Sequence, residues 1–445
     1  MEAGSPSPIS RSLSPSKGPE DVTVLVVSTS ITAHVLNASQ PVRGLVARGA
    51  RVLWCLPEQW ADHARGCGAE PLPPLGCDPL REQPDRWVAR GGPQGLTTVR
   101  AMYRDALAAP AGEQADELRS LLRHHRVDVL LSDTLMLGAA IAAQAEGIGW
   151  ASLGDGPLQW PDADLPPFGT GLPPLAGPPG RHRNRNVRRA TASLLFQPAL
   201  ELLNGHRRAH GLWPVADLLT AGVSRQAHLQ GCAPGFEYPS ARRPGFIHFV
   251  GALGPGPGHG DPLPTGFAST DGRPLAVVTQ GTLRHDGSEL AEPAARALVA
   301  DGFRVLVAGA ATDEQEGPDL LRMRRVDLTD ALARADLLVT NGGWTTVTLA
   351  LAAGVGVVQC GATEEKPDIG ARIRHAGVGR AIRLTRPPGR LVARVSRQVL
   401  HDPRRIGASA RLARDFQALD SRELAADAVL PLAATSTAAT RQGTP

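Results

Sequence analysis

The chain predicts an α/β protein of two domains, each an open parallel sheet flanked by helices and facing the other across a cleft. Three observations carry this. At 445 residues the chain is about twice the size at which one hydrophobic core stops growing. Short β-branched apolar runs alternate with stretches of helical spacing, the pattern of βαβ units on a parallel sheet. A Pro/Gly-rich stretch, "GALGPGPGHGDPLP" (251–264), separates two such alternating series as an interdomain linker would.

Taken in order, "DVTVLVVST" (21–29) reads as a strand, and 37–49 has helical spacing with Gly49 as its stop. "ARVLWCL" is a second strand, "VDVLLSD" (127–133) another, followed by a helix over 134–146 and the strand "GIGWASL". "LPPFGTGLPPLAGPPGRHRNRNVRR" (165–189) interrupts the rhythm as a long loop leading into a helix. Its arginines fit a solvated helix start better than a nucleic-acid face, because no aromatic residues are interleaved. Beyond the linker the alternation restarts. "RPLAVVTQGTL" (273–283), a helix over 288–301, "FRVLVAGA" (303–310), "ALARADLLVTNGG", a helix over 345–353 and "GVGVVQCG" build the second domain, with further helices in "DIGARIRHAGVG" and 388–400. The expected boundaries are a Ser/Pro-rich disordered tail (1–20), an N-terminal domain (21–240), the linker (241–265), a C-terminal domain (266–432) whose last helices can pack back on the first, and a disordered Ala/Thr-rich tail (433–445).

Composition excludes several classes. An apolar content of 42% suits ordinary folding, and no apolar run reaches the roughly 18 to 20 residues that span a bilayer. The N-terminus lacks the apolar centre of a signal peptide, so the expectation is a cytoplasmic protein. The five cysteines show no C-x-x-C spacing, which argues for free thiols rather than a zinc site or a disulfide framework. A net charge of +4 is small for this length and implies no nucleic-acid partner. Lys17 and Lys366 are the only lysines among 47 basic residues, so Lys366 stands out as the one lysine of the folded region.

In open α/β sheets ligands bind beyond the carboxyl ends of the strands, so function belongs to the loops that follow them. In "TNGGWTT", Asn341, Gly342 and Gly343 precede Thr345 and Thr346 at a helix N-terminus, where unpaired amides and the helix dipole favour an anion. A phosphate cradle and a Thr-capped tight turn both fit these residues. Gly281 and Thr282 in "TQGTL" form a second Gly-Thr turn of the same domain, which favours a shared diphosphate seat. In the first domain, His34 falls in the loop after the first strand, three residues before its helix, and Asp133 ends a strand at a natural N-cap. Each alone is unremarkable; together a histidine can take a proton while the carboxylate fixes its tautomer. His206 and His210 have metal-ligand spacing but no third ligand, so a solvated helix face is expected there and no metal.

These residues resemble the family 1 nucleotide-sugar glycosyltransferases, in particular the bacterial branch acting on natural products, over about residues 21 to 425. The strongest likeness is "LLVTNGGWTTVTLALAAGVGVVQCGATEEKPDIGARIRHAGVG", which is similar to the family's donor signature; "VVTQGT", "LLNGHRRAHGLWP" and "GCAPGFEYPSARRPGFIHFVGAL" add to it. The resemblance implies the GT-B fold, two Rossmann-like domains with parallel sheets facing an interdomain cleft. It also implies an inverting, metal-independent hexosyltransferase with no cofactor beyond a nucleoside-diphosphate sugar as co-substrate.

Carried over by position, His34 becomes the catalytic base and Asp133 its partner, while Gly281, Thr282, Asn341, Gly342, Gly343, Thr345, Thr346, Glu365 and Lys366 become donor-binding residues. Several positions depart from the pattern. Asn341 replaces the commoner His, Thr345 a usual Gly, Gly356 a usual Pro, and Ala33 the Gly before the base. Leu349 stands where many members carry a Glu that binds the ribose hydroxyls, which favours a dTDP-activated over a UDP-activated sugar. The acceptor is expected to be a hydrophobic small molecule lodged between the 155–180 region and the 85–105 segment with Trp87 and Tyr103. A non-catalytic nucleotide-sugar-binding relative and a GT-B sugar-nucleotide epimerase stay open as alternatives, as does a homodimer.

Overall fold

The structure, a computed structural model, describes residues 18–77, 96–267, 271–281 and 287–437. Two seven-stranded sheets carry it. The first contains β1 (Thr23–Val27), β2 (Arg51–Cys55), β3 (Glu70–Leu72), β4 (Val129–Asp133), β5 (Gly149–Gly154), β6 (Ala227–Gln230) and β7 (Ile247–Phe249), in the order β3-β2-β1-β4-β5-β6-β7. Its helices are α1 (Thr32–Asn37), α2 (Ser39–Ala47), α3 (Ala61–Gly66), α4 (Leu96–Ala101), α5 (Ala111–His124), α6 (Leu137–Glu146), α7 (Gly177–Thr191) and α8 (Gln197–Ala209). The second sheet contains β8 (Leu275–Thr279), β9 (Arg304–Ala308), β10 (Glu314–Glu316), β11 (Leu320–Met323), β12 (Leu337–Thr340), β13 (Gly356–Cys360) and β14 (Gly379–Ile382), in the order β10-β11-β9-β8-β12-β13-β14. With it go α9 (Ala291–Ala300), α10 (Leu328–Ala333), α11 (Trp344–Ala352), α12 (Lys366–Ala376), α13 (Gly389–Leu400), α14 (Pro403–Gln417) and α15 (Ser421–Val429).

Every strand pairing is parallel except β10 with β11. The central strands are buried on both faces, which is why they read as continuous apolar runs rather than alternating ones. In the first sheet, Leu25, Val27 and Leu130 pack with Leu118 of α5 and Ile141 of α6, while Val24, Val26 and Trp54 pack on the other face with Leu45 of α2. In the second, Val277, Leu338 and Val357 meet Val347 of α11 and Phe416 of α14, and Val278, Val339 and Val358 meet Leu298 of α9 and Val392 of α13.

Chain order reverses between β1 and β4 in the first sheet and between β8 and β12 in the second. At such a switch point the loops leaving adjacent strands diverge and open a crevice. Val27 lies beside Ser132 and Thr279 beside Thr340, so the loops that begin next to each other carry His34 with Asp133, and Gly281 with Asn341.

The expected boundaries are redrawn in three places. β7 pairs with β6, so the first sheet runs past residue 240 into the stretch assigned to the linker. Just before it, Cys232, Ala233 and Phe236 pack into the core of the second domain, and the Trp344 indole N–H donates to the Gly231 carbonyl (2.8 Å). The chain therefore crosses between the domains more than once. At the C-terminus, Ala425, Ala426, Val429 and Leu432 pack on the first sheet, and a 3-10 helix, Leu430–Thr437, extends into the stretch assigned to a tail. Residues 1–17 and 438–445, assigned to the tails, lie outside the described residues.

Further ties hold the cleft. The Arg372 guanidinium on α12 pairs with the buried Glu237 (2.8 Å), whose other carboxylate oxygen accepts the Leu158 amide (2.8 Å). Asp368, also on α12, accepts the amides of Gly169 and Gly171, the latter at 2.6 Å, so one helix of the second domain fixes a long loop of the first. Among the described residues no helix is long and apolar enough to cross a membrane.

The return of α15 depends on a backbone contact. A side chain at Gly44 of α2 would place its Cβ 2.1 Å from the Arg422 carbonyl oxygen. Gly44→Ala is expected to cost about 1–3 kcal/mol by overpacking, read by urea denaturation, with faster proteolysis of the C-terminal helix. Unchanged stability would show that the contact is not limiting.

Candidate active site

His34 lies in the first turns after β1, and the structure corrects two expectations about it. The residue sits inside α1, not in a loop before the helix; the helix breaks instead at Ala38, because Pro41 has no N–H to donate back to the Asn37 carbonyl. Asp133 is not a helix N-cap either. Helix α6 starts at Leu137 without a side-chain cap, and the Asp133 carboxylate accepts the Leu135 amide, the Thr29 amide (2.9 Å) and the Thr29 hydroxyl (3.1 Å). Held this way, Asp133 Oδ2 lies 3.2 Å from His34 Nδ1.

A second carboxylate, absent from the sequence reading, shares that nitrogen. Asp155, just past β5, places Oδ2 3.0 Å from His34 Nδ1 and accepts the Asn37 side-chain amide (3.1 Å). Burial of the ring opposes its charge, but Asp155 and Asp133 outweigh this and hold the imidazole well above its ordinary range. Burial likewise pushes Asp133 up, and is outweighed by His34 and the donors around it, leaving Asp133 below the usual carboxylate range. With Nδ1 engaged, Nε2 is the ring nitrogen available to a substrate.

His34 lines a cavity of about 190 Å³ between the domains. Its wall is mainly apolar, with Ile31, Met102, Tyr103, Leu135, Phe168 and Val223. Tyr103 therefore lies where the acceptor segment was expected, whereas Trp87 is outside the described residues. On the polar side, His228 is pushed down to about 4, chiefly by burial, so it is neutral. Its two nitrogens meet the Ser152 hydroxyl (2.9 Å) and Gln230 Oε1 (3.2 Å). From the second domain come Glu364, Glu365 and Lys366. Lys366 pairs with Glu364; burial chiefly raises Glu365, while its own amide and His34 act the other way.

At the second switch point the expected donor residues converge in part. The Asn341 side-chain amide donates to the Gln280 carbonyl and so ties the two loops together, while its Oδ1 is buried without a protein partner. Gly281 (φ +79°) leaves room for this: a Cβ there would lie 3.2 Å from the Asn341 amide group. Gly342 (φ +101°) passes over Gln359, whose amide supports the carbonyls of Asn341 (3.2 Å) and Gly361 (3.3 Å). Gly343 is the N-cap of α11, and among the described residues a Cβ there would meet only the Thr346 hydroxyl oxygen, 4.0 Å away. Among the described residues the Thr346 hydroxyl has no hydrogen-bond partner, but the Thr345 hydroxyl donates to Asn37 Oδ1 of the first domain (2.9 Å), so it is engaged away from the expected phosphate. Thr282 lies outside the described residues.

The chain is 32% identical over 407 residues to 4'-demethylrebeccamycin synthase of Lentzea aerocolonigenes, covering 89% of this chain and 96% of that protein. It is 31% identical over 329 residues to UDP-glycosyltransferase 2 of Phaeomoniella chlamydospora, covering 69% and 71%. The chain belongs to the family 1 nucleotide-sugar glycosyltransferases. No protein-family model matches the chain. The glycotransferase of kitacinnamycin has the same two-domain GT-B fold, with a TM-score of 0.69 over 91% of this chain and 97% of that one at 20% identity. This glycosyltransferase is thus a transferase of the natural-product type.

Some site residues of the glycosyltransferase were within reach of the sequence. Asp155 follows β5 in "SLGDGP", a strand end like that of Asp133, and the same rule applied to every strand finds it. Asn37 and His228 carry no such signal, since Asp155 and Ser152, the partners that give them their roles, are distant in the chain.

His34 also links the site to pH. Above about pH 6.5 the unfolded chain loses a proton that the native imidazole keeps, so the stability this site supplies is complete below that pH. It declines as pH rises through the folded value. In Asp155→Asn, histidine NMR titration is expected to show His34 losing its proton at lower pH than in the wild type. An unmoved titration would overturn the role given to Asp155.

Proposed function

We propose that the glycosyltransferase inverts the anomeric centre of a dTDP-activated hexose or deoxyhexose as it transfers it to a hydroxyl of a hydrophobic natural-product aglycone, without a metal. The observation that carries this reading is the sharing of His34 Nδ1 by Asp133 and Asp155 at the edge of an apolar interdomain cavity. The reacting form is the neutral ring, which rising pH populates: Nδ1–H points at the carboxylates and Nε2 takes the acceptor's hydroxyl proton. The oxygen attacks the anomeric carbon, and the bond to the diphosphate breaks with its electron pair passing to the leaving phosphate oxygen. The imidazolium so formed lies between two carboxylates, which stabilises charge as it develops.

The leaving group's charge is met at the N-terminus of α11, where Gly343 leaves the backbone open and the Thr346 hydroxyl is available. A cavity of about 500 Å³ beside Gln280, between the loops after β8 and β9, is suited to the nucleoside. Leu349 is partly buried among apolar neighbours and offers no carboxylate for a ribose 2′-hydroxyl, which supports the deoxy nucleotide. Glu365 reaches the region between donor and acceptor and is suited to a sugar hydroxyl, whereas Lys366 is held by Glu364.

His34→Ala is expected to lower transfer roughly 10²–10⁴-fold while nucleoside-diphosphate binding, measured by calorimetry, persists. Retained turnover would remove His34 as the base. Product mass analysis across dTDP- and UDP-sugars with hydrophobic aglycones tests the donor, and a clear UDP preference would overturn the dTDP assignment.

A further inference from the structure

Thr345 is the second residue of α11, yet its hydroxyl faces the other domain. The contact is directional. A carboxylate only accepts hydrogen bonds, so the Asn37 group facing Asp155 (3.1 Å) must be its NH2. That leaves the Asn37 carbonyl facing Thr345 (2.9 Å), and Thr345 must donate. A single chain of polar contacts therefore runs from α11 through Thr345, Asn37 and Asp155 to His34 Nδ1. Thr345 is also clamped from behind: Gly254 takes φ +128°, and a Cβ there would lie 3.2 Å from the Thr345 methyl group.

We propose that Asn37 and Thr345 form a closure latch, positioning residues that hold Asp155 against His34 when the two domains shut over the donor. The latch rests on the reading of His34 as base and of the α11 N-terminus as the diphosphate seat. Thr345 and the open first-turn amides of α11 share one helical turn, so an anion bound there and the hydrogen bond to Asn37 both depend on where that turn sits. Opening the cleft withdraws the hydroxyl; Asn37 then loses one of its two anchors and Asp155 is held less firmly. Two sites in different domains become coupled through one side-chain amide, with closure as the two-state element.

The surroundings of His34 set the sign of the effect. It is faced by Asp133 from β4, Asp155 from the loop after β5 and Glu365 from the start of α12, with the Lys366–Glu364 pair and neutral His228 on the same cavity wall. Weakening Asp155 alone removes a negative neighbour, so His34 should lose its proton at lower pH while Asp133 keeps the ring in place.

Thr345→Val keeps the shape and the methyl contact but removes the donor; Thr345→Ser keeps the hydroxyl. Two measurements on the full chain decide the proposal: calorimetric binding of dTDP, and histidine NMR titration of His34 with dTDP bound, which needs no turnover. Expected for Thr345→Val is a dTDP Kd within about threefold of wild type, His34 titrating at lower pH, and kcat reduced about tenfold. Thr345→Ser should restore both the titration and kcat. An unmoved His34 titration overturns the latch, whether or not dTDP binding changes; a loss of dTDP affinity equal to the loss in kcat/KM would make Thr345 a phosphate ligand instead. Failure of the underlying reading shows separately, as full transfer by His34→Ala.

Discussion

Two carboxylates converge on one nitrogen of a partly buried histidine, and most of the first domain's architecture bears on that contact. Asp133 is placed by the end of β4 and fixed by three donors from its own domain. Asp155 is placed by the end of β5 and held by Asn37. Buried ions of like charge repel, and both would be costly without a cation between them. His34 supplies it, and gains in return a strong preference for its protonated form. The arrangement suits a step in which imidazolium is the product: the environment is complementary to the charge at the end of proton transfer rather than at its start.

The second domain solves a different problem with the same topology. Among the described residues its switch point is built of glycines, Asn341 and Gln359, which offer backbone amides and neutral side-chain amides. Gly281 and Gly342 are present because neighbouring side chains, Asn341 and Gln359, occupy the space a Cβ would need. Gly343 is different, since among the described residues a Cβ there would meet only the Thr346 hydroxyl oxygen, 4.0 Å away. The pair in "NGG" thus divides its work: one glycine packs against the fold and one faces the cleft.

Closure between the halves is built from polar contacts on two helices of the second domain. Arg372 and Asp368 on α12 hold Glu237 and the 169–171 loop, while Trp344 and Thr345 at the start of α11 reach Gly231 and Asn37. Interfaces of this polar kind between domains permit relative motion more readily than a continuous apolar core. The exception is Cys232, Ala233 and Phe236, buried in the second domain while the neighbouring strands belong to the first. They form a fixed crossing near which the cleft can open.

Much of this was legible in the amino-acid order. Strand runs such as "VTVLVV" and "LLVT" are apolar because both faces of a parallel strand are covered, and that local requirement suffices to place the two sheets, their alternation with helices, and the loops worth searching. His34, Asp133, Gly281 and Asn341 were found because they follow strands. What only the tertiary structure decided is which groups meet. Asp155 shares the base, and the Thr345 hydroxyl turns to Asn37 of the other domain. Amino-acid order sets each residue's chemistry and its element; these hydrogen-bond partners depend on backbones brought close from positions 99 to 308 residues apart, and no local pattern encodes that distance.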